Sequence, residues 1–234
     1  PPATVPRAVT LDAVLSSAAP ALALVAAPVR DLVKQLPPQS VALTVTHPPL
    51  PRPGFWSLST AWTAWLWGRK AAEALWPLLS RKRTNWDWQW RASASALGAL
   101  ATVQRAGARI VMAFAYDDTV AESVTLAAAA AELVTEQLAC DPHDGVQAGW
   151  RVGAPVEIRD IADRAEQVLR ERAEPTAWPV LHTALLGELG RGAWLRALIK
   201  RGEAEAAPLA GLRDALRTAL AAPRLVELDD HKWW

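Results

Sequence analysis

Residues 40–50, SVALTVTHPPL, limit the possible fold more than any other stretch of the chain. Val41, Thr44, Val45 and Thr46 are β-branched and suit a pleated strand better than a helix, and Pro48-Pro49 stops the strand. Helical spacing lies on both sides of it. Upstream, Leu11, Val14, Leu15, Leu22, Val25, Val29, Leu32 and Val33 recur at three- and four-residue intervals interrupted by Pro20 and Pro28, which predicts two short helices. A strand set between helices places the chain in the α/β class.

The same reading continues downstream. Leu58, Trp62, Trp65, Leu66, Leu75 and Leu79 predict a helix over about 57–79, and Trp86, Trp90, Leu97 and Leu100 another over 85–104, ended by Gly107. Thr84 with Asp87, and Thr119 with Glu122, have capping-box spacing. The apolar run ARIVMAFAY (108–116) predicts a strand covered on both faces, and an alanine-rich helix should follow to Leu133. VTEQLAC and VQAGWRV, joined by DPHDG, read as a β-hairpin over 134–152. The expected fold is therefore a partial doubly wound sheet ending in an antiparallel hairpin.

Gly153 and Pro155 suggest a domain boundary, giving an α/β unit over 1–154 and a small, mostly helical unit over 155–234. The second unit should hold helices around Ile158–Leu169, Thr176–Leu189, Gly192–Lys200 and Pro208–Ala222. RLVEL (224–228), DDH and KWW can then form a two-stranded wing. Compact helices with a hairpin fit a winged helix, although other small helical folds share the pattern.

Composition narrows the setting. The chain has 234 residues, 51% of them hydrophobic, enough for a sizeable core. A formal charge of +1 means that nucleic-acid binding would need local basic patches. Cys140 is the only cysteine, which excludes an intrachain disulfide and suits a reducing, cytoplasmic setting. SSAAPALALVAAP (16–28) imitates a secretory signal but has no strongly basic start and is broken by prolines, and no run is apolar enough to span a membrane. The Pro-Pro start and the Trp233-Trp234 finish suggest a piece of a longer protein.

LPPQSVALTVTHPPL (36–50) resembles the segment of DNA amino-methyltransferases in which a Ser-Val-Asp-Leu strand enters Thr-Asp-Pro-Pro-Tyr. Thr46, Pro48 and Pro49 match; His47 stands at the acid or amide position and Leu50 at the aromatic one. Residues 51–69 and 85–97 are similar to tryptophan-rich helices of bacterial DNA-methylase-like proteins, so the resemblance covers about 36–152. It implies a Rossmann-like methyltransferase sheet with a catalytic corner at His47, Pro48, Pro49 and Leu50. In that family the acid or amide and a prolyl carbonyl orient the substrate amine, and the aromatic ring stacks on the flipped base. His47 lacks a carboxylate's charge and Leu50 lacks a π face. The glycine-rich S-adenosylmethionine turn has no counterpart, because no glycine precedes Gly54. The corner reads as degenerate, and no cofactor is expected on this chain alone.

Two basic regions are candidates for nucleic acid. SRKRTNWDWQWR (80–91) interleaves Arg81, Lys82, Arg83 and Arg91 with Trp86, Trp88 and Trp90; cations can neutralise phosphates while Trp88 stacks on bases. The alternative is a solvated loop leading into a buried aromatic face. Arg213 and Arg217, spaced i, i+4, together with Arg224, would contact DNA from a winged helix, or else mark an ordinary amphipathic surface. Trp62, Trp65, Trp67 and Trp76 read first as packing residues. CDPH (140–143) has the spacing of half a metal site but reads better as a hairpin turn, so no metal is expected.

Three functions follow. The first is a catalytically degenerate methyltransferase-like module with a binding or assembly role on DNA. The second is half of an S-adenosylmethionine-dependent DNA amino-methyltransferase completed by a missing N-terminal segment or partner subunit. The third is a protein-interaction module that uses its tryptophan-rich helices.

Overall fold

A computed structural model describes residues 10–25, 27–48, 53–76, 86–141, 143–158, 160–202, 208–228 and 230–234. Two short helices, α1 (Leu11–Leu15) and α2 (Val29–Val33), precede strand β1 (Val41–Thr46). Helices α3 (Pro53–Trp67), α4 (Arg69–Ala72) and α5 (Trp86–Ala101) lead to β2 (Gln104–Phe114). Helix α6 (Asp118–Ala130) then leads to the hairpin of β3 (Leu133–Asp141) and β4 (Gly145–Val152). The chain continues through α7 (Ile161–Arg172), β5 (Thr176–Ala177), α8 (Trp178–Arg191), α9 (Trp194–Gly202), α10 (Pro208–Leu220) and β6 (Lys232–Trp233).

The sheet order is β1-β2-β4-β3. β1 and β2 are parallel, and β4 runs antiparallel to both of its neighbours. β3 therefore points the same way as β2, and the last strand of the hairpin is inserted inside the sheet. Along the buried face, Ile110 pairs with Trp150, Met112 with Ala148 and Phe114 with Val146. These side chains meet α6, which is buried through most of its length. Apolar residues all round a helix suit a position inside other layers, and alanine lets those layers approach.

One hydrophobic cluster runs from Trp90 and Leu97 on α5, through the sheet and α6, to Leu185, Leu195, Leu212 and Leu225. The apolar core thus takes residues from both sides of position 154. Helix α8 lies on β3, so closely at Gly190 that a Cβ there would come 2.2 Å from the Thr135 Oγ1. A C-terminal hairpin forms, with reciprocal backbone bonds between Val226 and Trp234 at 2.9 Å. Its second strand also pairs with β5 beside the start of α8.

Several expectations are corrected. The β2 strand is covered on one face only: Ala108, Ile110, Met112 and Phe114 are buried, while Arg109 and Ala113 between them are exposed. On the open face of β1, Leu43 is 55% and Val45 74% exposed. Gly107, expected to end a helix, lies inside β2. The helix expected over 57–79 starts at Pro53 and breaks at Gly68, whose φ of 88° is strained for residues with a Cβ. Its tryptophans are not core residues: Trp65 is 75% and Trp67 73% exposed. Asp117, not Thr119, caps α6, its carboxylate accepting from the Val120 amide at 3.0 Å. That helix ends at Ala130, and Leu133 already belongs to β3. The Thr84 position lies outside the described residues.

Candidate functional site

Because β1, β2 and β3 run the same way, their carboxyl ends open at one end of the sheet, where α/β proteins place their ligands. His47 leaves the tip of β1 and is exposed, while Pro48 beside it is buried. Pro49 and Leu50 lie outside the described residues. At the tip of β2 the chain passes through Tyr116 into the first turn of α6, and the first turn of α8 arrives from the other side.

These two helix starts enclose a polar cluster. His182 is fully buried, stacked on the Trp178 ring with centroids 4.6 Å apart and planes 17° apart. Its Nδ1 lies 2.9 Å from the Tyr116 hydroxyl, which donates a short hydrogen bond to Asp118. With the tyrosine proton directed to Asp118, Nδ1–H donates to the Tyr116 oxygen, and Nε2 presents its lone pair. Among the described residues that nitrogen has no hydrogen-bond partner, and it faces the Glu122 carboxyl at 3.8 Å. The Trp178 indole N–H donates to Asp118 at 3.1 Å. Arg213 closes the far side, donating from Nε to Glu122 at 2.7 Å and from Nη2 to the Thr119 hydroxyl at 2.9 Å. An adjoining cavity of about 550 Å³ touches Asp118, Glu122, Trp178, Arg213 and Trp233.

Burial sets the protonation of the cluster. Desolvation lowers the His182 pKa to about 4, against the pull of Asp118, so the ring is neutral at physiological pH. Desolvation also raises Glu122, opposed by the hydrogen bond and charge of Arg213. Burial, then the hydrogen bond and charge of Asp118, push the Tyr116 hydroxyl up and keep it protonated. Hydrogen bonds join Arg213 to Glu122 and, separately, His182 to Asp118 through Tyr116, with a gap of 3.8 Å between His182 and Glu122, an arrangement suited to orienting a polar ligand. The cluster holds no activated nucleophile.

The sequence reading did not find this cluster. Glu122 was read as part of a capping box with Thr119 and Arg213 as a DNA contact, and His182 lies 66 residues beyond its partner Tyr116. The available signal was position: a Tyr-Asp-Asp run directly after a strand of an α/β sheet falls at the ligand-binding end.

The residues expected to touch nucleic acid are dispersed. Arg81, Lys82 and Arg83 lie outside the described residues. Trp88 is 47% exposed, and the Arg91 guanidinium sits 5.4 Å from the Trp90 ring centre. Arg213, expected on a DNA-facing surface, instead holds Glu122, because a carboxylate only 4% exposed needs a charged partner. Arg217 pairs with Asp214 at 2.7 Å, and Arg224 pairs with Asp163 and, at 2.9 Å, with Glu166. In the CDPH turn, Asp141 accepts from the amides of His143 at 2.8 Å and Asp144 at 3.1 Å, which is turn chemistry. Among the described residues, no three His, Cys, Asp or Glu side chains are grouped to hold a metal ion. No helix among the described residues is long and apolar enough to cross a membrane.

No family model, curated protein or solved structure matches the chain.

Proposed function

We propose that this chain is a catalytically degenerate methyltransferase-like module with an assembly role: one half of a doubly wound sheet that receives another layer of protein. One observation carries the reading. Purely parallel sheets occur almost only where both faces are covered, and the parallel pair of this mixed sheet exposes apolar residues that such a cover would bury. Here β1 and β2 are parallel, yet Leu43 and Val45 on β1 lie open at 55% and 74% exposure. Among the described strands β1 also stands at the edge of the sheet, where another strand can pair with its backbone. The exposed Trp62, Trp65 and Trp67 on α3 add further apolar surface suited to a protein partner.

The strand order supports the methyltransferase part of the reading. A strand, helices, a second strand parallel to the first, a helix and a closing hairpin follow the order that the resemblance of residues 36–152 implies. The His47-Pro48 corner leaves β1 at the carboxyl tip, where the resemblance puts the amine-orienting motif. No glycine precedes Gly54 to make the cofactor turn. In this reading the C-terminal helices cover the sheet rather than act as a DNA-reading winged helix. Protein is the favoured partner over DNA, because Arg213, Arg217 and Arg224 already face carboxylates.

A second reading makes the same open face the seat of a cofactor-binding half, whose S-adenosylmethionine would approach the His47 corner. The buried Pro48, which fixes the backbone there, favours it. Calorimetry separates the readings. The chain alone should give no saturable heat with S-adenosylmethionine, and saturable binding would overturn the degenerate assignment. Methyl transfer by this chain joined to a glycine-rich cofactor half, abolished by His47→Ala, would establish the second reading in its place.

A further inference from the structure

We propose that a groove between α5, α6, α9 and the start of α10 is a binding site for a phosphate-bearing nucleotide. It lies where β3 begins and β4 ends, at the opposite end of the sheet from His47 and Tyr116, and does not depend on the methyltransferase reading. Its volume is about 830 Å³. Arg91 lines it from α5, Arg196 and Lys200 from α9, and Glu132 from the loop into β3. Among the described lining residues, three cations stand against one acid, an excess of two positive charges.

These cations are placed differently from the arginines of the C-terminal helices. Arg196 donates to three neutral acceptors, the carbonyl oxygens of Glu132 at 2.8 Å, Leu133 at 3.4 Å and Gly153 at 3.2 Å. Its position is fixed while its charge stays uncompensated. Arg91 rests against the Trp90 ring, which orients the guanidinium without neutralising it. Among the described residues, no carboxylate pairs with Arg91, Arg196 or Lys200. Fixed guanidinium forks of this kind match phosphate oxygens, and low-dielectric walls strengthen the attraction.

The other walls identify what the phosphate is attached to. Ala94 of α5, Ala129 and Ala130 of α6 and Ala197 of α9 give the groove an apolar wall beside Trp90 on which the ring of such a ligand would lie. The Glu132 side chain, on the same wall, would repel a bare phosphate but can accept from sugar hydroxyls or ring N–H groups. An anion at one end and hydrogen-bond donors at the other are the parts of a nucleotide.

Binding of fluorescent ADP, inorganic pyrophosphate and an oligothymidylate to the intact chain tests the assignment. ADP should bind saturably at low salt and weaken as salt rises. Arg91→Ala/Lys200→Ala should weaken it by about tenfold or more with an unchanged circular dichroism spectrum. Arg196 is left intact because it holds three carbonyls together. Glu132→Gln should strengthen pyrophosphate binding and weaken ADP binding, a crossing that a merely positive surface would not give. Displacement of ADP by oligothymidylate would show that the nucleotide is recognised within a strand; no displacement would assign the free nucleotide, and both keep the proposal. It is overturned by absent ADP binding, by equal affinity in the double variant, or by pyrophosphate binding as tightly as ADP.

Discussion

The Nε of Arg213 on α10 donates to the Oε2 of Glu122 on α6 at 2.7 Å, joining a C-terminal helix to the most deeply buried helix of the α/β layer. Glu122 is 4% exposed and Arg213 reaches it from a partly open position. Removing the cation leaves a carboxylate in the interior without its partner. Arg213→Ala should lower unfolding free energy by about 2 kcal/mol, less than for a fully buried pair because the guanidinium is partly hydrated. Urea melts should show Arg213→Ala/Glu122→Gln recovering part of that loss.

His182 gives the chain a pH-dependent stability. Its pKa is about 4 when folded and 6.5 unfolded, so between these values the unfolded chain binds the extra proton. The stabilisation is full above about pH 6.5, declines as pH falls, and levels off near pH 4. The loss is on the order of 3 kcal/mol. Glu122, raised by burial, acts with the opposite sign above its own ordinary range. Denaturant melts of the parent and His182→Gln at several pH values should therefore differ most in slope between pH 4 and 6.5.

Helix α8 can approach β3 only because residue 190 has no side chain. A methyl there would come 2.2 Å from the Thr135 Oγ1 and 3.1 Å from its Cβ. Gly190→Ala should destabilise by about 1–3 kcal/mol through overpacking. Adding Thr135→Ala removes the nearer atom, and thermal melts should show partial recovery.

Two tryptophans should respond in opposite ways. Trp65 is 75% exposed and Trp150 is fully buried between sheet and helices. Trp65→Ala should leave stability within about 0.5 kcal/mol, whereas Trp150→Ala should cost about 3–5 kcal/mol. Chemical denaturation of the two variants checks this, and a large loss from Trp65→Ala would mean that α3 packs into the core.

Local patterns carried the elements. β-branched residues ended by prolines marked β1, alternating residues around a polar turn marked the β3–β4 hairpin, and i, i+4 leucines marked α10, because each signal acts within a few residues. Boundaries shifted where a single backbone angle or cap decided them, as at Gly68 and Asp117. The coverage of each face was decided only in three dimensions. Nothing in Trp62 or Trp65 distinguishes a buried indole from an open one, and β2 reads as apolar whether one layer covers it or two. The polar cluster depended still more on the fold: Tyr116, Glu122, His182 and Arg213 come from three separate helices and a strand end. Their burial, and hence their protonation, exists only once α8 and α10 have closed over α6.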